Sequence, residues 1–569
     1  MTYRDHCTSG FLLKNINMSK NISELSGRKG LSKNLFEEIG VLAKANGTPS
    51  EKDLAQLATE FIIGDANLYG TATFYDFLKP ENKGKKVYIC NGSACLAAGT
   101  QEKVKNEVLK HWDASEVGEM CCLGRCHENA AFHVDGKNYS GKALNQLEEI
   151  KAKKNVAGDN YHVEAIGEPI LTAEFPGVDG YYNLLKKMLQ TPTSDLLEEI
   201  KKSGLRGRGG AGFPIGMKLE SCKNSEGNTK FIVCNADEGD PGAYSDRYIL
   251  EKQTHRLLLG MMIAGYVTGA QYGVVYIRAE YPEAINICQQ AIDEIRGKKF
   301  IGDAILGSEF NFDFKIIAAQ GAYICGEETA LLSSIEGQRP EVRVRPPYPT
   351  QQGLFNKPTV VNNVETLAVL PYILENGGAR YSSRGEGRST GTKLVCLDSS
   401  FNRPGMYEVD MGTPLSTVVD ELGKGFRRKT KALHIGGPLG GLVPVSKIKD
   451  LTVDFESFAQ NGFLLGHASV IGIPEDFPMI DYLEHLFEFC AHESCGKCFP
   501  CRLGSTRGFE LIRKARISSF KIDDELFRDL IDTMESASLC ALGGGLPLPI
   551  KNALNYFQDE LSPYFTPQS

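Results

Sequence analysis

The sequence lacks several features that would each assign it to a class of protein. It has no excess of positive charge: 63 Lys and Arg residues face 71 Asp and Glu residues, and the formal net charge is −8. A nucleic-acid-binding role is therefore excluded. Its 16 cysteines in 569 residues are too sparse for a disulfide scaffold. A hydrophobic content of 42% is too high for general disorder, so we expect several folded domains.

Long apolar runs are also scarce. Residues 257–277 carry no charged side chain and are long enough to cross a bilayer, but four glycines and a glutamine interrupt them. The pattern favours a buried helix over residues 257–268 and a buried strand over residues 273–278. The apolar run at residues 11–13 is too short for a signal peptide. The sequence thus predicts no membrane span, and its clustered cysteines indicate metal or redox chemistry in a reducing cytoplasm.

Changes in composition and periodicity predict a multidomain α/β protein with five domains, residues 1–82, 83–158, 159–385, 386–472 and 473–569. The first is helical, and the second is a small α/β unit whose strand at 87–90 leads into a cysteine-bearing loop. The third is rich in glycine and alternates buried strands with helices, which is typical of a layered, parallel α/β domain. The fourth is β-rich with a glycine turn at 436–441, and the fifth is helical. We expect a polar linker at residues 382–391.

Two pairs of cysteines at short spacing follow the first predicted strand. They are Cys90, Cys95, Cys122 and Cys126, and each pair lies on a loop that contains a glycine. Thiolates at this spacing converge on soft metals or iron–sulfur clusters. The residues alone leave a structural zinc site and buried free cysteines open.

A glycine-rich loop at residues 204–218 contains six glycines and three basic side chains. So many glycines allow backbone amides to approach a ligand, and a phosphate is the natural occupant. Four further blocks place polar groups beside glycine or a strand end, where ligands bind in open α/β sheets; these are residues 234–242, 323–330, 345–349 and 362–366. Each block alone is typical of a turn or a helix start, but together they predict a nucleotide site.

A second group of cysteines lies in the C-terminal helical region. Cys495, Cys498 and Cys501 form a C-x2-C-x2-C run, in which three thiolates surround one corner of a cubane cluster and the fourth ligand comes from elsewhere. Cys540 is the natural fourth ligand, because Cys490 lies in an apolar helical stretch typical of a core. Zinc sites favour two separated pairs, so this spacing favours [4Fe–4S].

The N-terminal motifs resemble a known family. Residues 67–75, followed by the first cysteine group, resemble the small [2Fe–2S] subunit of respiratory complex I. The resemblance covers roughly residues 30–150. It implies a helical N-terminal bundle, a thioredoxin-like ferredoxin domain and a [2Fe–2S] cluster rather than zinc.

Residues 160–569 resemble the NADH- and FMN-binding subunit of complex I, a module that also occurs in NAD-linked hydrogenase diaphorases and formate dehydrogenases. The glycine loop, the four polar blocks and the second cysteine group carry this resemblance. It implies a Rossmann-like FMN/NADH domain, a ubiquitin-like β-grasp insert and a C-terminal helical bundle. The implied cofactors are FMN, NAD(H), one [4Fe–4S] cluster and one [2Fe–2S] cluster.

The same resemblance implies the site residues. Those expected to hold the FMN phosphate and ring edge are Gly207, Arg208, Gly209, Gly210 and Lys218. Those expected to complete the flavin site are Asn235, Asp237, Glu238, Tyr323, Gly326, Glu327, Asn362, Asn363 and Thr366. Phe213 and Tyr348 are expected to enclose the adenine of NADH, and Glu328 to face the nicotinamide, so Glu328 and Lys218 are the implied catalytic residues. Asp240 stands where the respiratory subunits usually have Glu, which leaves its cofactor contact open.

These features predict a diaphorase subunit that takes hydride from NADH and passes single electrons to a partner. The expected partners are other subunits of a soluble redox complex, such as a hydrogenase, a formate dehydrogenase or a ferredoxin-coupled enzyme. Two alternatives stay open. One is a peripheral-arm subunit of a membrane NADH:quinone oxidoreductase, and the other is a redox-sensing or scaffolding homologue without turnover.

Overall fold

The structure, a computed structural model, describes residues 27, 30–31, 33–46, 49–154, 156 and 159–566. The apolar run at residues 11–13 lies outside the described residues. Within the described part, no helix is both long and apolar enough to cross a membrane. The uncharged stretch near residue 260 instead forms the buried helix Thr254–Thr268 and the buried strand Tyr272–Ile277, which confirms the prediction.

The N-terminal helices lead into a four-stranded mixed sheet. Ser50 caps the second helix by accepting the N–H of Asp53, whose carboxylate accepts the N–H of Ser50 in return, a reciprocal arrangement that satisfies two free donors. The sheet has its own apolar core, which includes Trp112. Its strands, in spatial order, are Val117–Met120, Val87–Cys90, Phe132–Val134 and Lys137–Tyr139.

A four-stranded parallel sheet forms the centre of the molecule. Its strands are buried on both faces, as parallel sheets require, because helices cover them on each side. Gly260 on the helix Thr254–Thr268 allows close packing of this layer: a Cβ there would lie 1.9 Å from the carbonyl oxygen of Leu367. The strands, in spatial order, are Asp313–Ala318, Tyr272–Ile277, Phe231–Ala236 and Thr359–Asn363.

A six-stranded mixed sheet with a separate apolar core follows along the chain. Its strands, in spatial order, are Gly441–Pro444, Thr430–Ile435, Ser469–Pro474, Thr392–Leu397, Gly405–Asp410 and His162–Ala165. The last strand comes from residues that the sequence assigns to the preceding domain, so the sheet extends across the expected boundary. The carboxylate of Glu408 holds the chain that follows the strand His162–Ala165, because it accepts the backbone N–H groups of Ile170, Leu171 and Thr172.

The expected linker at residues 382–391 is not a free connection. It forms a short antiparallel hairpin, Gly385–Glu386 with Ser389–Thr390. Thr390 donates its hydroxyl to the carbonyl oxygen of Ser203. Polar composition misled the prediction because these groups bond to distant backbone rather than to water.

Helices surround the three sheets and form the C-terminal region. The helix Met479–Glu493 ends just before the second cysteine group, and the helix Phe499–Ile517 begins within that group. The other α-helices are Leu35–Asn46, Glu51–Phe61, Asp65–Ala72, Ser93–Ala97, Gln101–Val108, Leu147–Lys151, Val178–Tyr181, Asn183–Gln190, Thr193–Lys202, Ile215–Asn224, Ser245–Lys252, Pro282–Gly297, Glu328–Ile335, Pro349–Gln352, Val364–Ala368, Leu370–Asn376, Gly378–Ser382, Phe455–Gln460, Asp524–Ala537, Ala541–Gly545, Pro547–Tyr556 and Gln558–Leu561.

Candidate functional site

The parallel sheet has a point at which its strand order reverses. From Phe231–Ala236 the chain proceeds to one side of the sheet and later returns to the other side as Thr359–Asn363. Asn235 pairs with Asn363 across these two strands. Ligands bind at the carboxyl ends of strands at such a switch point, and the predicted polar blocks lie there.

Two buried polar atoms at this point have no hydrogen-bond partner within the described structure. They are the amide nitrogen Nδ2 of Asn362 and the carboxyl oxygen Oδ2 of Asp237. Nearby, Nδ2 of Asn235 donates to the carbonyl oxygen of Gly326 at 2.7 Å, and burial raises the pKa of Asp237. Native proteins rarely leave buried polar groups unpaired, so this strand end fits a ligand rich in donors and acceptors.

The glycine-rich loop lies against the same strand end. It turns back on itself, since the N–H of Gly207 donates to the carbonyl oxygen of Phe213 at 2.8 Å. A Cβ at Gly209 would lie 2.9 Å from Cβ of Asn363, and Gly210 has a φ of +116°, so both positions need glycine. The loop then enters the helix Ile215–Asn224, whose N-terminus attracts anions such as phosphate.

The side chain of Arg208, which is predicted to help hold the FMN phosphate and ring edge, is buried. Its side chain is 1% exposed, and its guanidinium donates to the carbonyl oxygens of Thr390 and Thr392 at 2.5 and 3.1 Å and to the hydroxyl of Tyr381 at 3.0 Å. It therefore ties the loop to the neighbouring sheet. Only its backbone remains for the ligand, and that N–H already donates to the hydroxyl of Thr366 at 2.8 Å.

Glu238 and Glu327, both predicted to contact the cofactor, each cap a helix at the edge of the site. Glu238 accepts the N–H groups of Asp246 and Arg247 at 2.9 and 3.0 Å. Glu327 accepts those of Thr329 and Ala330, both at 2.8 Å. A carboxylate at a helix N-terminus satisfies free donors, so these two acids hold the helices that border the site.

Lys218 and Glu328 form an ion pair where the site opens to solvent, at the mouth of the site. Lys218 Nζ donates to Glu328 Oε2 at 3.1 Å and to the carbonyl oxygen of Val361 at 3.0 Å. Arg345 Nη1 donates to the other oxygen of Glu328 at 2.9 Å. One carboxylate thus bridges two cations, an arrangement that holds Lys218 beside the strand end Thr359–Asn363.

Two exposed aromatic side chains flank the mouth. Phe213 is 49% exposed and Tyr348 is 54% exposed. Each lies just before the start of a helix, and these two helices are linked by the hydroxyls of Ser221 and Thr350 at 2.8 Å. Exposed rings on adjoining elements are suited to stack a planar ligand.

Asp240 faces inward rather than toward the mouth. Its Oδ1 accepts the hydroxyl of Tyr323 at 2.7 Å, and a Cβ at Gly437 would lie 2.4 Å from its carboxyl carbon. Burial raises the pKa of Asp240. The backbone N–H of Tyr323 donates to Glu493 at 2.7 Å, so Tyr323 joins the site to the helix Met479–Glu493.

The first cysteine group converges in a buried pocket. Its four residues are each at most 2% exposed, and the sulfurs of Cys122 and Cys126 lie 3.3 Å apart. The N–H of Gly124 donates to Cys122 at 3.4 Å and that of Gly242 donates to Cys126 at 3.2 Å. Buried thiolates that receive backbone N–H groups fit an iron–sulfur cluster. The segment 235–242 therefore connects the strand end directly to this pocket.

The second group also comes together. Cys495 and Cys501 are buried, and a Cβ at Gly543 would lie 2.5 Å from Cβ of Cys501, which brings the Cys540 loop against the cysteine run. Cys490 is core, as predicted, and donates to the carbonyl oxygen of Leu542 at 3.5 Å. Cys490 also lies beside Cys501, whose pKa it lowers, whereas burial raises the pKa values of Cys495 and Cys540.

Two site residues were not found by sequence reasoning. Asp246 accepts the amide of Asn363 at 2.6 Å, and His467 lies 3.3 Å from the same oxygen. Neither belongs to a recognisable motif, and 221 residues separate them. Only the fold brings them to the strand end.

Three family models match the chain. They are a thioredoxin-like [2Fe-2S] ferredoxin over residues 32–154, a Nuo51 FMN-binding domain over residues 200–372 and an NADH-ubiquinone oxidoreductase-F iron-sulfur binding region over residues 481–564. The F 2 subunit of NADH-quinone oxidoreductase in Rhizobium meliloti is 40% identical over 407 residues, which is 69% of this chain and 96% of that protein. The chain belongs to the family of NADH-quinone oxidoreductase F subunits.

One hydrogenase subunit and one solved hydrogenase structure match more of the chain. The alpha subunit of the NAD-reducing hydrogenase HoxS in Cupriavidus necator is 32% identical over 538 residues, which is 89% of this chain and 88% of that protein. The crystal structure of an NAD+-reducing [NiFe]-hydrogenase in the H2-reduced state superposes with a TM-score of 0.80 and 27% identity, covering 94% of both chains.

These matches confirm the expected fold class, cofactors and enzyme class. The protein is a flavin- and iron–sulfur-dependent NADH oxidoreductase with an FMN-binding domain and regions for a [2Fe–2S] and a [4Fe–4S] cluster. The first cysteine group therefore belongs to an iron–sulfur module, and the zinc alternative is wrong.

Proposed function

We propose that this member of the family is the NADH-oxidising component of a larger soluble redox complex in the cytoplasm. The coverage of its relatives carries this proposal. The hydrogenase alpha subunit matches 89% of the chain, including the N-terminal [2Fe–2S] module, whereas the quinone oxidoreductase F subunits match 64–69% of it. The described cysteines are free and clustered, which is also typical of a reducing compartment.

Backbone and amide groups at the switch point would bind the flavin. The N–H groups of the glycine loop and the helix that follows it suit the phosphate. The unpaired groups of Asn362 and Asp237, with Asn235, suit the polar edge of a ring and a hydroxylated chain. When bound, FMN supplies the exchange of one hydride for two single electrons, and each iron–sulfur cluster supplies one-electron transfer.

Side chains at the mouth would bind and orient NADH. Phe213 and Tyr348 offer faces for the adenine, and Glu328, held between Lys218 and Arg345, sits where the nicotinamide end would enter. Lys218 places a positive charge where negative charge develops on hydride transfer. A bound dinucleotide between these residues would exclude water from the strand end.

The chain also offers a route from the strand end to the second cysteine group. Tyr323 stacks edge-on against Phe489, with ring centroids 4.9 Å apart, and binds Glu493 on the same helix. A single residue separates the end of that helix from Cys495. We therefore assign the [4Fe–4S] cluster to Cys495, Cys498, Cys501 and Cys540 as the exit toward a partner, and the [2Fe–2S] cluster to the first group.

Replacing one proposed ligand of the [4Fe–4S] cluster tests whether electrons leave the flavin through that cluster. Cys498→Ala should leave NADH reduction of artificial dyes largely intact, because dyes accept electrons from the flavin, while transfer to the natural acceptor is lost. Cys222→Ala, a buried cysteine outside both groups, is the control. Loss of dye reduction in a variant that still holds FMN would contradict the proposal.

A membrane NADH:quinone oxidoreductase is the second candidate, and the 40% identity to the Rhizobium meliloti protein favours it. Purification of the tagged chain from its own cells distinguishes the two, because the co-purifying subunits are a hydrogenase-like or other soluble module in one case and quinone-reducing membrane subunits in the other. Failure of NADH to bleach the bound flavin would instead indicate a homologue without turnover.

A further inference from the structure

A buried histidine from the domain of the six-stranded sheet lies close to the carboxyl ends of the parallel strands, where we place the flavin. His467 is 5% exposed and lies two residues before the strand Ser469–Pro474. Its Nε2 lies 3.3 Å from Asp246 Oδ2 and 3.8 Å from Glu238 Oε1. The same oxygen of Asp246 accepts Nδ2 of Asn363 at 2.6 Å.

Asn363 is held from two sides. Its Nδ2 donates to Asp246, and its Oδ1 accepts the N–H of Thr366 at 3.3 Å and so caps the helix Val364–Ala368. The loop that carries His467 also lies against the glycine loop, since a Cβ at Gly210 would be 3.9 Å from the backbone nitrogen of His467. His467 thus adjoins the flavin site in two places.

The acidic side chains around His467 favour its cationic form. Asp246, Glu238 and Asp240 all face it from one segment, and the first two are 2% and 4% exposed. Lys393 faces it from the strand Thr392–Leu397 but is paired with Glu365. The neighbouring carboxylates raise the pKa of His467 to about 9 against the effect of its burial, and burial raises the pKa of Glu238 to about 7.

A metal ion is not needed to balance this cluster. The ligand atoms of Glu238, Asp246 and His467 lie within 4.8 Å of one another, so the spacing alone would allow one. However, Glu238 already accepts two backbone N–H groups and the hydroxyls of Ser245 and Tyr281. Its lone pairs are committed, and the imidazolium supplies the positive charge.

We propose that His467 is a positioning residue for the flavin site, which sets the orientation of Asn363 through Asp246. The inference rests on the proposed FMN site. Asp246 Oδ2 accepts Nδ2 of Asn363 and also contacts His467, while Oδ1 of Asn363 accepts the N–H of Thr366. Without His467, Asp246 Oδ2 keeps, among the described residues, only its hydrogen bond with Asn363, so the carboxylate can shift and Asn363 shifts with it.

Substitution of His467 in the full-length holoprotein tests this inference. FMN release can be followed by the recovery of flavin fluorescence, which reports binding without turnover. His467→Gln should weaken FMN binding about tenfold, because a buried charge loses its partner. His467→Lys restores a cation and should bind FMN more tightly than His467→Gln. His434→Gln is the matched control, since His434 is equally buried but bonds to Tyr482.

The pH profile separates positioning from a structural role. Wild-type FMN affinity should fall as the pH rises through about 9, because the imidazolium is then lost, and His467→Gln should show no such step. Equal FMN affinity in wild type and His467→Gln would overturn the inference. So would one equivalent of a non-iron metal that wild type binds and His467→Gln does not. A wild-type protein that binds no FMN would overturn the proposed function itself.

Discussion

At the scale of single residues, the site depends on pairs that the chain places far apart in sequence. Lys218 lies 110 residues from its partner Glu328 and 143 residues from the carbonyl group of Val361. The motif that contains Lys218 predicts a phosphate contact, but the structure also places it beside the acid that faces the mouth. In the proposed site its charge would serve both the binding of the cofactor and the reaction.

Removing that charge should reduce turnover. Lys218→Met is expected to lower kcat/KM for NADH-driven dye reduction about 100-fold at saturating FMN, since the positive charge that stabilises developing negative charge is lost. Lys186→Met, an exposed lysine on another helix, should not change it. Steady-state kinetics with flavin content measured in parallel check this, and an unchanged kcat/KM would exclude Lys218 from the reaction.

At the scale of helices and strands, the sequence predicted what local patterns determine. The apolar run of the strand Val87–Cys90 and the buried helix that ends at Thr268 are recognisable because their residues are consecutive. The strand His162–Ala165 and the interior position of Arg208 were not predicted. Their partners lie about 180 to 240 residues away, and no local pattern records a contact of that range.

The packing at Gly260 provides a direct test at this scale. Gly260→Ala would place a methyl group 1.9 Å from the carbonyl oxygen of Leu367, so the two helices must separate. We expect the free energy of unfolding to fall by about 1–3 kcal/mol, with weaker FMN binding because the displaced helix begins after Asn363. Gly297→Ala, where a Cβ meets no atom within 4 Å, should be neutral or slightly stabilising. Chemical denaturation of both variants measures the difference.

At the scale of the whole molecule, the first cysteine group is held by residues of the parallel-sheet domain as well as by residues of its own domain. Arg278 donates to the carbonyl oxygens of Cys121 and Glu238 at 2.7 and 2.5 Å and pairs with Glu280 at 2.9 Å. Arg247 donates to the carbonyl oxygen of Gly124 at 2.6 Å. Two buried guanidinium groups thus fix the cysteine loop against the parallel sheet.

Breaking one of these contacts should affect one cluster only. Arg278→Met leaves Glu280 as an unpaired buried charge, a change that costs about 3–5 kcal/mol. We expect it to reduce the [2Fe–2S] content and leave the [4Fe–4S] content unchanged, as measured by electron paramagnetic resonance of the reduced protein. Arg296→Met, an exposed arginine that pairs with Asp293 and Asp313, is the control. Parallel loss of both clusters would contradict this local role.

The turn at Pro241 and Gly242 has a consequence for redesign of the protein. The backbone N–H of Gly242 in this turn donates to the sulfur of Cys126. The segment that leads into the turn begins at the end of the parallel strand that contains Asn235. A replacement that shifts this turn by a fraction of an ångström would disturb the surroundings of Cys126, a proposed iron ligand, and the shape of the proposed flavin site together. Engineers who wish to retune one centre must therefore accept, or compensate, a change in the other.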